Sequence, residues 1–359
     1  MFGIIFASKV LNRYKNSRIG LLINQASFIQ PSFEFSFSYL RNLGFNIVKL
    51  LAPQHGLFPI TQANMIAFQS YYDDIWNIPV VSLYEDGYFV DKSKLSDIDV
   101  VFIDIQDVGA RYYTYVWTSL LICKTGIDVV VFDRPNPLGN KIEGVRLKKE
   151  YFSFVGMKEI YNRHGLTIGS ILQDFENVNV IKGDFDDSLD WEELGLKWIP
   201  TSPNIPSIES AFFYPGFCLL EGTNISEGRG TTYPFQVFGA PFINEIKLKK
   251  RIEYYKKKYN VEGVEFLYHR FKPTFDKYKD QVCNGLKMVI TDKKKFHSVK
   301  TCLIVLKSVS DLYPDNFEFI DPPYEYEYEK MPIDILWGDS SLRENLYTQN
   351  FETLMEKVI

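Results

Sequence analysis

The chain has 359 residues, 46% of them hydrophobic and 16% aromatic, enough to bury a large core and to build two lobes. Its 40 basic and 45 acidic residues leave a net charge of −5, and KKK at 293–295 is among the longest like-charge blocks, so neither nucleic acid nor an anionic membrane is an expected partner. Cys123, Cys218, Cys283 and Cys302 lie far apart without a C-x-x-C pair, which argues against a zinc knuckle or disulfide framework, and no apolar run approaches the ~20 residues of a membrane span.

At the amino end, MFGIIFASKVLNRYK lacks the basic start, long apolar region and small-residue cleavage site of a signal peptide. The expected location is cytoplasmic, or extracytoplasmic where a leader has been removed. Apolar runs then recur at Ile19 to Ile23, Ile47 to Leu51, Ile78 to Leu83, Val100 to Ile105 and Ile127 to Phe132. Each is nearly continuous, the pattern of strands buried on both faces, with helix-length segments such as Phe33 to Leu43 and Tyr115 to Thr125 between them. This alternation predicts an α/β fold with a Rossmann-like parallel sheet.

Polar turns follow the strands: Asn24-Gln25, Gln54-His55-Gly56, Glu85-Asp86-Gly87, Gln106-Asp107 with Gly109 and Arg111, and Asp133-Arg134-Pro135-Asn136. Ligands of open parallel sheets bind beyond the carboxyl ends of the strands, so five turns on one rim predict a site there. Helix capping and turn formation are the competing explanation for the Asn, Asp and Gly members. No glycine occurs between Ile23 and Gly44, and no Walker-type loop is present, so no nucleotide cofactor is expected.

From Lys148 a second, less regular region is expected: turn-rich runs at 201–207 and 214–235, a helix Glu245 to Tyr259, strands Val264 to Tyr268 and Leu286 to Thr291, and a helix Ser298 to Leu312. The resulting division is a Rossmann-like lobe over 1–147 and a smaller α+β lobe over 148–359. KYKDQ (277–281) and YEYEYEK (324–330) read as solvated surface.

Glu221, Asn224, Glu227 and Arg229 fall within nine residues of one another, among glycines that let backbone approach a ligand. Two carboxylates in one loop suit glycoside hydrolysis, where one acid protonates the leaving oxygen; a Glu–Arg pair closing on itself is the alternative. Arg111 and Arg134 carry forks that suit a carboxylate, or could be locked by Asp107 or Asp133. No H-x-x-x-H spacing exists and no metal is expected; no G-x-S-x-G elbow supports a serine hydrolase.

The motifs GLLIN (20–24), LAPQHGL (51–57), DIQDVGARYYTY (104–115), DRPNPLGN (133–140), IEGVRL (142–147), RHGLTIG (163–169), SPNIPS (202–207), YPG (214–216), EGTNISEGRGTTYPF (221–235), GAPFI (239–243) and FKPTFDKY (271–278) resemble, collinearly, those of the exo-β-N-acetylmuramidase family, the NamZ-type peptidoglycan hexosaminidases, formerly a domain of unknown function. The resemblance implies a Rossmann-like lobe and a smaller lobe with a cleft between them. It also implies release of N-acetylmuramic acid from non-reducing ends of peptidoglycan fragments without a nucleotide cofactor. On this reading Gln54, Asp107, Glu221 and Glu227 mark the catalytic centre. Asn24, His55, Arg111, Tyr115, Arg134, Asn136, His164, Asn224 and Arg229 become expected contacts of a muropeptide or disaccharide substrate, with Arg111 or Arg229 on the lactyl carboxylate.

The chain departs from the family at one central point, because members usually carry Glu where it has Gln54, and an amide cannot donate or accept a proton as a carboxyl does. Pro59 to Tyr72 also departs, and Asn284 follows Cys283 where His is usual. Glu85 or Asp86 could supply a relocated acid. Three readings therefore stand: an active muramidase with a relocated acid, a glycosidase of changed specificity, and an inactive relative that binds muramic-acid saccharides.

Overall fold

The structure, a computed structural model, describes residues 1–53, 56–58, 69–83 and 89–359. Gln54, His55, Glu85 and Asp86 lie outside the described residues. The chain forms two compact units: Met1–Gly109 with Tyr113–Lys141 and Gly165–Pro206, and Ala110–Tyr112 with Ile142–His164 and Ser207–Ile359. The division expected near Lys148 is thus crossed more than once, since Gly165–Pro206 return to the first unit.

In the first unit, α1 (Ser8–Tyr14) precedes β1 (Ile19–Ile23), a small hairpin of β2 (Phe28–Ile29) and β3 (Glu34–Phe35), α2 (Ser36–Asn42) and β4 (Ile47–Ala52). There follow β5 (Tyr71–Asp73), β6 (Ile78–Ser82), β7 (Val100–Asp104), α3 (Tyr115–Lys124), β8 (Asp128–Phe132), α4 (Ile168–Leu172) and β9 (Val178–Ile181). The sheet order is β5-β6-β4-β1-β7-β8-β9, parallel except for the antiparallel edge strand β5. All five residues of β1 and of β7 are buried, as their unbroken apolar sequence requires of central strands. Phe102 of β7 anchors the packing, with edge-on ring contacts to Tyr14 (5.7 Å), Phe45 (5.2 Å) and Phe132 (5.3 Å). β9 explains why the chain returns: Val129 to Phe132 pair in register with Val178 to Ile181.

In the second unit, α5 (Ile208–Phe217) leads into a 3₁₀ turn at Cys218–Gly222 and then β10 (Val237–Ala240), α6 (Glu245–Lys258), β11 (Val264–Phe271), β12 (Cys283–Ile290), α7 (Ser298–Leu312) and α8 (Pro332–Trp337). The three strands form an antiparallel sheet in the order β10-β12-β11. Side chains cap the helices where the sequence offers them: Ser207 accepts from Ser210 N at α5, Asn244 from Lys247 N at α6, and His297 Nδ1 from Lys300 N at α7. All four cysteines are buried and unbridged. No helix among the described residues is long and apolar enough to cross a membrane.

The run at 214–235, expected to be turns, begins inside α5, which carries Pro215 in its last turn and Gly216 beside it. Gly216 is there because α7 passes too close for a side chain. A Cβ would lie 2.1 Å from the Ser298 carbonyl oxygen, and the Gly216 N–H donates to Ser298 Oγ at 2.8 Å. Gly216→Ala should therefore destabilise the protein by about 1–3 kcal/mol through forced separation of α5 and α7; a denaturant midpoint equal to wild type would disprove this crossing.

Candidate active site

In the first unit, the carboxyl ends of the strands are joined by side chains. Asn24, after β1, donates from Nδ2 to the Gln106 carbonyl (3.0 Å), while its Oδ1 accepts from Ala26 N and Ser27 Oγ. Arg134, after β8, clamps Asp104 at the end of β7 with Nε to Oδ1 at 2.7 Å and Nη2 to Oδ2 at 2.8 Å, and lies over the Phe2 ring. Ser36 donates to the same carboxylate. Asn136 donates to the Leu166 carbonyl and accepts from Leu138 N. Tyr115 donates to the Thr201 carbonyl. Asp104, rather than the Asp107 or Asp133 considered from the sequence, is the partner of Arg134.

Asn24, Tyr115, Arg134 and Asn136, expected from the sequence to meet a substrate, are each buried and hydrogen-bonded within the protein. Asp107 stays at the rim, its Oδ2 accepting from Gly109 N at 2.8 Å. Gly109 has φ 81° and no room for a side chain, because a Cβ would lie 2.4 Å from Asn136 Oδ1. Gln106 donates to the Asp107 and Pro135 carbonyls, and its buried Oε1 has no partner among the described residues. A buried acceptor left open in this way marks a place for a donor.

Asp133 accepts from Thr167 Oγ1 and from Gly169 N, both at 2.8 Å, and so fastens α4 to the end of β8. Burial pushes its carboxyl up to about 6, against the hydrogen bonds from Thr167 and Gly169.

Arg111 belongs to the second unit and is fully buried, at 0% exposure. Its guanidinium donates to the carbonyls of Leu336 (2.7 Å) and Trp337 (2.9 Å) at the end of α8, and to those of Ile160 and Val145. It is a helix C-cap, a position where carbonyls without partners favour a cation. The contacts described for Arg111, which the sequence placed on a lactyl carboxylate, are thus to the protein's own carbonyls. His164 is buried, next to Arg163, which pairs with the equally buried Glu143 at 2.7 Å; His297 Nδ1 stands 3.1 Å from the same carboxylate.

The acidic loop does form one constellation. Glu221, in the 3₁₀ turn after α5, and Glu227, in the loop that follows, both contact Arg229: through Nη2 to Glu221 Oε1, and through Nε 3.6 Å from Glu227 Oε1. Lys277 Nζ reaches Glu227 Oε2 at 3.0 Å and donates to the Leu220 and Ile225 carbonyls. Tyr324 donates to Glu221 Oε2 at 2.6 Å, and the Cys218 thiol lies 3.4 Å from Oε1. Asn224 is not part of the constellation: its amide bridges Asn316 and Glu318, pinning the loop.

Two acids and two cations buried together are nearly neutral as a group, yet the acids are not equivalent. Burial raises the proton affinity of Glu221 and outweighs Arg229, with the Glu227 charge pushing the same way. Glu227 is also buried, but Lys277 and Arg229 overcome that burial and hold its carboxyl below the usual range. One carboxyl biased to keep its proton and a neighbour biased to lose it is the division that acid–base chemistry uses. Glu221 also keeps more exposure, 6% against 1%.

Two members were missed because KYKDQ and YEYEYEK look solvated. Lys277 is drawn inward by Glu227. Tyr324 opens a tight turn in which Tyr324 and Glu327 exchange both backbone hydrogen bonds at 2.9 Å, with Glu325 and Tyr326 at φ 45° and 66°. Left-handed backbone at two successive non-glycine residues is unfavourable by about 1–2 kcal/mol each, so the surroundings must hold it. Among the described residues no group of three His, Cys, Asp or Glu side chains could hold a metal ion.

The chain matches two family descriptions end to end: exo-beta-N-acetylmuramidase NamZ, N-terminal, over residues 19–209, and its C-terminal counterpart over 212–358. It is 39% identical over 320 residues to the peptidoglycan beta-N-acetylmuramidase NamZ of Bacillus subtilis (strain 168), covering 85% of this chain and 76% of that protein. A crystal structure of a DUF1343 family protein from Bacteroides fragilis superposes with a TM-score of 0.81 at 28% identity, covering 99% of this chain and 97% of the other. A second DUF1343 protein of B. fragilis, at 22% identity and a TM-score of 0.66, shares the fold.

Two outcomes test the first unit's rim. Asp104→Ala leaves the buried Arg134 charge without its counter-ion and should lower unfolding free energy by about 3–5 kcal/mol; a loss below 1 kcal/mol by denaturant titration would reject the clamp. Folded Asp133 keeps its proton up to about pH 6, whereas the unfolded chain releases it near the ordinary 3.8, so this group makes stability fall as pH rises through that window. In Asp133→Asn the wild-type-minus-variant stability should decline between about pH 4 and 6, by up to about 3 kcal/mol, and be flat above.

Proposed function

The chain belongs to the exo-beta-N-acetylmuramidase NamZ family, and from that premise we propose that it hydrolyses the bond to N-acetylmuramic acid at the non-reducing end of peptidoglycan fragments, with Glu221 as proton donor. The observation that carries the residue assignment is the opposed bias of the two acids in one buried cluster. Cleaving a glycosidic bond requires a proton on the departing oxygen as the carbon–oxygen bond lengthens and the sugar takes on oxocarbenium character. A carboxyl whose hold on its proton is strengthened by burial suits that step.

Glu227 is the fixed negative charge that sustains Glu221's proton affinity, and Arg229 with Lys277 keeps the acids in place. The sugar's own acetamido oxygen supplies the nucleophile, as in substrate-assisted glycosidases, which removes the need for a second reacting carboxylate. No nucleotide cofactor enters this scheme. The substrate is a small saccharide, a disaccharide or muropeptide.

Gln54 favours a second reading, in which the chain binds muramic-acid saccharides with impaired turnover. A chromogenic N-acetylmuramide assay alongside calorimetric titration of the disaccharide separates the two: release of chromophore supports the enzyme, binding alone the impaired relative. Glu221→Gln should lower kcat by about 10²–10⁴-fold with fold and KM kept; turnover within threefold of wild type would remove Glu221 from the acid role. Gln54→Glu should raise activity if the family's acid belongs there, and lower it if the amide has been recruited to hold the acetamido group.

A further inference from the structure

Tyr324 stands outside every motif that carries the family resemblance, yet its hydroxyl is 2.6 Å from Glu221 Oε2. Oε1 is engaged by Arg229 and faces the Cys218 thiol, while Tyr324 holds the second oxygen. We propose that Tyr324 is a positioning residue for the reaction: it orients the Glu221 carboxyl for proton delivery and stabilises the carboxylate that delivery leaves behind. This rests on the assignment of Glu221 as proton donor.

The hydrogen bond can run in either direction without any other atom moving. While Glu221 holds its proton, the acid O–H can donate to Tyr324 Oη. When that proton has passed to the departing oxygen and the electron pair of the broken carbon–oxygen bond has gone with it, the phenol O–H turns to donate to the carboxylate. Burial, and next the Glu221 charge, hold the phenol well above its usual range, so it remains a donor at any working pH.

The backbone argues the same way. Tyr324 opens the turn whose two central residues, Glu325 and Tyr326, occupy left-handed backbone that Asn and Gly normally fill. The turn is held from several sides: Glu325 is buried, the Tyr326 ring meets Phe154 edge-on at 5.8 Å, and Glu327 accepts from Glu329 N and Lys330 N. A merely solvated loop of this length would relax; this one is kept where it presents a hydroxyl to a buried acid.

The experiment is the pH dependence of kcat and kcat/KM of the full chain, compared among wild type, Tyr324→Phe and Glu221→Gln. Removing the hydroxyl takes away stabilisation of the ionised acid, so in Tyr324→Phe the basic limb of kcat/KM should move up by about one pH unit, and kcat at the optimum should drop about tenfold with KM within about twofold. An unshifted limb with only a lower melting temperature would overturn the proposal and leave Tyr324 a packing residue. Should Tyr324→Phe fail to fold, 3,5-difluorotyrosine at position 324 keeps the shape and strengthens donation; the limb should then move down, and an unmoved limb overturns the proposal equally. Turnover by Glu221→Gln would instead defeat the underlying acid assignment, whereas an inactive Glu221→Gln beside an unshifted Tyr324→Phe limb defeats only the role of Tyr324.

Discussion

A charge taken out of water must meet its counter-charge or a set of dipoles inside the protein, and this requirement organises both units. Arg134 is clamped by Asp104, Arg163 by Glu143, and Arg229 and Lys277 by Glu221 and Glu227, all at low exposure. Arg111 faces four carbonyls, two of them at the end of α8. Removing either member of such a set leaves a desolvated group behind.

The same constraint explains which parts of the molecule were legible in the sequence. Continuous apolar runs identify β1, β4, β6, β7 and β8 to within a residue or two, and α7 to the residue, because burial on both faces or along one stripe leaves a periodic trace. β9 was not visible: Val178 to Asn179 and Val180 are only half-buried at the sheet's edge. α5 was hidden by Pro215 and Gly216, which signal a turn locally but answer to the close passage of Ser298.

The site was legible in its acids and less so in its partners. Glu221, Glu227 and Arg229 stood out by spacing. Lys277 and Tyr324 did not, since their neighbours are charged and exposed and nothing local reveals an acid fifty or a hundred residues away. The motif arginines are ambiguous for a related reason: a guanidinium after a strand looks alike whether it will meet a sugar's carboxylate or the protein's own acceptors. Only the three-dimensional census of acceptors tells these apart.

Arg111 has a consequence for the order of events during synthesis. Unit one draws its last residues from Gly165–Pro206, so its sheet can close while the ribosome is still translating α5. The strap formed by 110–112 and 142–164 is completed later: Val145 and Ile160 offer Arg111 two carbonyls within the strap, but the other two, of Leu336 and Trp337, lie 225 and 226 positions downstream. Until α8 emerges, the Nη2 side of that guanidinium must be satisfied by water. A polypeptide stopped before Pro332 would therefore leave two of the guanidinium's N–H donors without the acceptors that burial demands.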